Sequence, residues 1–344
     1  MPSGQDSLVH VAVDAHNLAR DDRGIGRYAR SILVRALERS GFRWTFVVRN
    51  IWPRRAPISR ALGGARVRVT SQIPHDTDVV WSPWNGTFLK TEKPSVATIH
   101  DAAPFAYPAA DARTREIEQA PFRKTAQSAR KILVQSAFTA SEVERWLGVE
   151  PERIVVTPLG ADAIFHAGAA GPLPEGVRDR PYILHVGSHD VRKNSATLAA
   201  AYSRAFPGGN VALAYTRPPP LLPNGALVVD APDDRSLAAL YRGAALVVVP
   251  SICEGFGLPL LEALACGAPV LASRAGALPA IGGEAVAWID DPLDVDAWVG
   301  AMRGLIAGDA ERARLAALGP SRAALFSWES CTTQTLDVLR EVAG

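Results

Sequence analysis

The sequence has 344 residues, 48% of them hydrophobic, a length that favours two domains each burying a core of its own. No apolar run is long enough to span a bilayer, Met1 to Asp6 lacks the regions of a secretory signal, and three cysteines without CxxC or Cys/His spacing read as cytoplasmic free thiols, not as disulfides or a zinc site. The formal charge of +2 hides 23 basic against 17 acidic residues up to position 170, yet no block of like charges or basic and aromatic stripe marks a nucleic-acid partner.

Val9 to Asp14 reads as a first strand. Beyond it, Gly24-Ile25-Gly26 precedes Tyr28, Ile32, Leu33 and Leu37 at helical spacing, a strand, turn and helix without the third glycine and acidic residue of a full dinucleotide fingerprint. Further strands are expected at 45–48, 67–69, 79–81 and 95–99, separated by helical or turn segments as in a parallel α/β sheet. Trp81-Ser82-Pro83-Trp84-Asn85-Gly86 leaves one strand end with aromatic and turn residues that suit either an acceptor pocket or packing under a loop. The strand at 95–99 runs into His100-Asp101, which puts a histidine at the carboxyl end of a buried parallel strand, where open α/β sheets bind ligands. A strand at 131–136 and a helix at 138–147 follow, and Ile154 to Asp162 closes the first half. Residues 166–174, rich in Ala, Gly and Pro, read as a linker.

The second half opens with a strand and glycine exit, Tyr182 to Ser188, and then Asp190-Val191-Arg192-Lys193-Asn194 just before a helix at 195–205. Adjacent cations there suit a diphosphate, which arginine binds as a fork and lysine as a compact charge. His185 and His189 read as structural. Strands are expected at 211–214, 227–229 and 244–249. From Glu254 the chain reads E-G-F-G-L-P-L-L-E-A-L-A-C-G-A-P-V. Gly255 and Gly257 clear the backbone for a ligand, Pro259 suits the first helical position and Gly267 ends the helix. A buried strand, a glycine turn and a helix N-terminus thus aim unpaired N–H groups at one point suited to a phosphate. Glu254 and Glu262 flank that point. Carboxylates repel phosphate, so their partners are hydroxyls further along the ligand. A nucleotide sugar, with a hydroxyl-bearing ring on each side of a diphosphate, satisfies all three features. A strand at 270–273 and a helix from Asp294 to about Ala307 follow.

E-x7-E enclosing G-F-G-L-P, about sixty residues after R-K-N, resembles the signature of family 4 retaining glycosyltransferases of the GT-B fold. The resemblance covers nearly the whole chain. It implies an α/β protein of two Rossmann-like, doubly wound domains facing a cleft: residues 1–170 on the acceptor side, with a helix at about 328–344 packing back on them, and 171–327 binding the nucleotide-sugar donor. On this pattern Glu254 contacts the donor sugar, Glu262 the ribose hydroxyls, and the amides of Gly255, Phe256, Gly257 and Leu258 sugar or phosphate oxygens. Arg192 and Lys193 neutralise the diphosphate, Gly24 and Gly26 approach it, and His100 lies beside the donor sugar and the reaction centre. At Ile154 to Asp162 the family has N-G-V-D; Leu159 stands in place of the asparagine and removes its polar role.

The implied activity is retaining transfer of a hexose to a glycan, lipid-linked or small-molecule acceptor, with no metal or other cofactor. G-I-G-R-Y looks like the version in mannosyl- and rhamnosyltransferase-like members, which favours GDP-mannose as donor. An epimerase or phosphorylase on the same fold, or a non-catalytic sugar-nucleotide-binding subunit, would keep the same motifs. Ile51, Trp52, Arg54, Arg55, Ile58 and Arg60 form a basic and apolar segment suited to peripheral contact with the inner face of a membrane.

Overall fold

The computed structural model describes residues 8–21, 24–49, 55–187, 190–231 and 233–344. Ile51, Trp52, Arg54, Ser188 and His189 lie outside them. The chain divides into two compact units, residues 1–159 with 328–344, and residues 160–327.

The first unit holds a seven-stranded sheet with the order β3-β2-β1-β4-β5-β6-β7, parallel throughout. Its strands are β1 (Val9–Asp14), β2 (Phe42–Val47), β3 (Arg68–Thr70), β4 (Val79–Ser82), β5 (Ser95–Thr98), β6 (Lys131–Val134) and β7 (Ile154–Val156). The second unit repeats the plan with six parallel strands in the order β10-β9-β8-β11-β12-β13. These are β8 (Tyr182–His185), β9 (Ala212–Tyr215), β10 (Ala226–Val228), β11 (Leu246–Val249), β12 (Val270–Ser273) and β13 (Val286–Ile289). Central strands such as β11 and β12 are buried along their whole length, which is why they read as unbroken apolar runs. In each sheet the winding direction reverses between two neighbours, β1 and β4 in the first and β8 and β11 in the second. Loops leaving the carboxyl ends of such a pair diverge and leave a crevice for a ligand.

Several segments depart from the sequence reading, among them the helices Asp234–Gly243 and Asp309–Ala323, which it did not include. Val286–Ile289 is a strand with no expected counterpart; it lies at the sheet edge and is only half buried, so it lacks the apolar run of a central strand. Helix Ala112–Ser128 is mostly polar and carries Pro121, and only Gln119, Phe122, Thr125 and Ala126 are buried, a stripe too narrow to stand out in the sequence. The segment expected as a linker belongs to the second unit, where Arg242 donates to the carbonyls of Ile164 and His166 at 2.6 and 2.7 Å.

Ile58 lies in the short helix Arg55–Ala61 and is 1% exposed, so it is not available to a membrane surface. No helix among the described residues is long and apolar enough to cross a membrane.

Candidate active site

In the second unit the R-K-N turn and the glycine turn leave the two strands flanking the reversal point and are bonded to each other. Val191–Lys193 form a single 3-10 turn, capped by the Asp190 side chain on the Arg192 N–H at 2.9 Å. The Ile252 N–H donates to the Arg192 carbonyl at 2.8 Å, and the Asn194 amide donates to the carbonyls of Pro250 and Pro292 at 3.0 and 2.7 Å. Asn194 holds a left-handed backbone, φ 53°, and is the one non-glycine residue to do so among those described. Its side chain thereby faces back to β11 while the chain enters helix Ser195–Ala205.

Two ion pairs occupy the site. Lys193 Nζ donates to Glu254 Oε1 at 2.6 Å, and the Ser251 hydroxyl donates to the same oxygen at 2.7 Å. Arg192 Nε lies 3.1 and 3.0 Å from the two Asp190 carboxylate oxygens. Burial raises the Asp190 carboxyl, and the Arg192 bonds outweigh it, leaving the group below the usual carboxylate value. The cations therefore rest on carboxylates that an incoming diphosphate would have to rival.

Gly257, at φ +101°, begins helix Leu258–Ala265, and Pro259 takes its second position where the first was expected. Gly255, Phe256 and Gly257 are buried and Leu258 is half-buried. Glu262 lies one turn into this helix, 4% exposed, and accepts the Tyr241 hydroxyl at 3.1 Å. Gly276, beyond β12, is a support that the motifs do not reveal: a Cβ there would lie 2.3 Å from the Glu254 carbonyl oxygen, and Ala277 donates to that oxygen at 2.9 Å. Beneath the turns, His185 is held neutral. Burial pushes its pKa down to about 4, and its Nδ1–H donates to the Val248 carbonyl at 3.1 Å.

In the first unit, His100 follows β5 and is half-buried. Its Nε2 lies 2.9 Å from the Pro83 carbonyl, which can only accept, so Nε2 carries the proton and Nδ1 offers a lone pair. Burial lowers its pKa, which keeps the ring neutral. Tyr28, from the G-I-G-R-Y stretch, packs edge-on against the ring at 4.8 Å; the expected glycine turn is instead the first turn of the helix that carries Tyr28. Gly26 is required by the protein's own chain: a Cβ would fall 1.7 Å from the Asp21 carbonyl oxygen. Gly24 is exposed at the start of helix Gly24–Ala36. Sequence reasoning missed Asp14, 1% exposed at the end of β1, whose carboxyl is pushed up to about 6 by burial against the hydrogen bonds that lower it.

Two parallel sheets of seven and six strands, each with one reversal of winding, have the GT-B fold. Sucrose-phosphate synthase from Thermosynechococcus elongatus shares the fold, with a TM-score of 0.73 over 97% of this chain and 98% of its own at 20% identity. Residues 15–164 match the family described as Glycosyltransferase Family 4, and residues 222–322 match Glycosyl transferases group 1. O-antigen chain mannosyltransferase B of Escherichia coli is 32% identical over 274 residues, 72% of this chain and 70% of that protein. MMP alpha-(1->4)-mannosyltransferase of Mycolicibacterium hassiacum is 33% identical over 232 residues, 63% of this chain and 55% of the relative. This chain belongs to the group 1, family 4 glycosyltransferases.

Proposed function

We propose that the chain transfers mannose from GDP-mannose to a hydroxyl of a glycan, lipid-linked or small-molecule acceptor, with retention of anomeric configuration. The observation that carries the reading is the Lys193–Glu254 contact at 2.6 Å, which sets a cation for the departing diphosphate one hydrogen bond from a carboxylate for the sugar hydroxyls. The choice of mannose is supported by the G-I-G-R-Y stretch and by two relatives named as mannosyltransferases.

In this reading the bond between the sugar C1 and the β-phosphate oxygen breaks while the acceptor oxygen bonds to C1 from the same face. The acceptor proton passes to the departing phosphate oxygen. Arg192, Lys193 and the N-terminus of helix Leu258–Ala265 hold the charge that develops there, an electrostatic catalysis that needs no carboxylate nucleophile. His100, neutral and with its lone pair at Nδ1, accepts a hydroxyl of the transferred sugar.

Melting the protein with a concentration series of GDP-, UDP-, ADP- and dTDP-sugars tests the donor, because a ligand that binds only the folded state stabilises it by an amount set by its concentration over Kd. GDP-mannose is expected to give the largest rise. Proton NMR of the first product is expected to show the donor's anomeric configuration. Stabilisation by no nucleotide sugar would sink the reading, while a preference for another base or sugar would remove GDP-mannose alone.

A further inference from the structure

Two groups of the first unit, Asp14 at the end of β1 and His100 beyond β5, are joined through the loop that leaves β4, the strand between them. A single loop, residues 83–88, bonds to both. Toward His100, the Pro83 carbonyl accepts the ring Nε2–H at 2.9 Å and Asn85 Oδ1 accepts the backbone N–H at 2.7 Å. Toward Asp14, the Trp84 indole donates to the main-chain carbonyl at 2.8 Å and the Thr87 hydroxyl donates to Oδ2 at 2.7 Å. The Thr87 oxygen in turn accepts the Leu89 N–H at 3.0 Å, and Asp14 Oδ1 accepts the His16 N–H at 3.2 Å. At its middle the loop presses on helix Ala112–Ser128, where a Cβ on Gly86 would lie 2.5 Å from Pro121 Cβ. The loop is therefore tied at both ends and backed in between.

We propose that residues 83–88 form a strap that positions His100, with Asn85 and Thr87 as positioning residues and Asp14 as the anchor. Through Pro83 the strap fixes which ring nitrogen carries the proton. Through Asn85 it fixes the main chain from which the ring projects. Thr87 bonds to Asp14 and Leu89, and it acts by holding the loop to Asp14. A buried carboxylate is costly unless hydrogen-bonded, so the bond to Thr87 is held from both sides: the loop needs the anchor and the anchor needs the donor. The catalytic consequence rests on the reading of His100 as a sugar-facing group. The geometry does not.

The test uses the full chain, labelled with 15N on histidine, as wild type, Thr87→Val, Thr87→Ser and Asn85→Ala. Long-range 15N–1H spectra are expected to show the Nε2–H tautomer of His100 in wild type, a mixture of tautomers in Thr87→Val and Asn85→Ala, and recovery in Thr87→Ser. In a transfer assay the two disruptive variants are expected to lower kcat about 10-fold with donor KM changed less than about 3-fold, a loss confined to the transition state. An unchanged His100 tautomer in folded Thr87→Val and folded Asn85→Ala would overturn the strap. Altered tautomers with undiminished turnover would instead support the strap and overturn the sugar-facing role of His100.

Discussion

Glu254 and Glu262 lie on one glycine turn and its helix, but their surroundings differ. Glu254 shares one carboxylate oxygen between Lys193 and Ser251, so Glu254→Gln removes the negative partner of a cation while keeping the shape of the side chain. Binding of nucleoside diphosphate is expected to be equal to wild type or tighter by calorimetry, while transfer falls by roughly 10²-fold, the scale of one lost electrostatic contact in a transition state. Glu262→Gln is expected to weaken nucleoside diphosphate and nucleotide sugar alike. The reverse pattern would exchange the two assignments. Asp14 gives a prediction in pH. Its folded pKa of about 6 exceeds the ordinary 3.8, so the native state binds more protons between those values and stability falls as pH rises from about 4 through 6. The cost of the ionised form is on the order of 3 kcal/mol. Asp14→Asn lacks this titration, and its Tm relative to wild type is expected to climb between pH 4 and 7; a flat difference would show that Asp14 titrates normally.

At the scale of elements, the junction between the R-K-N turn and β11 depends on Asn194. Asn194→Ala leaves the Pro250 and Pro292 carbonyls without this donor and puts a Cβ-bearing residue without a local hydrogen bond in the left-handed region, a loss of about 2–4 kcal/mol in chemical denaturation. Asn194→Gly removes the backbone strain but not the lost bonds, and is expected to recover about 1 kcal/mol of it. Equal stability of the two variants would mean that the left-handed turn carries no strain. R-K-N and E-x7-E were legible in the sequence because each is a local run whose chemistry travels with it, and β11 and β12 were legible as apolar runs closed by turn residues. The bonds from Trp84 and Thr87 to Asp14 were not, because they span 70 and 73 residues and arise only where the strand order reverses. Gly276 was equally hidden: besides its own left-handed backbone, φ +59°, its need for glycine comes from the Glu254 backbone on a neighbouring turn.

At the scale of the whole molecule, the first unit is discontinuous. Helix Trp328–Ala343 returns to it: Trp328, Cys331, Leu336 and Leu339 are buried, Cys331 Sγ donates to the Thr157 carbonyl at 3.4 Å, Trp328 packs 6.5 Å from Tyr28, and Lys131 pairs with Glu341 at 3.1 Å. Ending the chain at Ser327 is therefore expected to strip protection from β1, β4, β5 and β6 in hydrogen exchange while β8, β11 and β12 keep theirs. Uniform loss in both sheets would mean that the units do not unfold separately. The same feature sets an order on biosynthesis. A ribosome delivers residues 1–159 first, yet the helix that completes their core emerges only after all of residues 160–327. The unit begun first is thus the last that can be finished, and for that interval its unclosed apolar face is what a nascent-chain chaperone would meet.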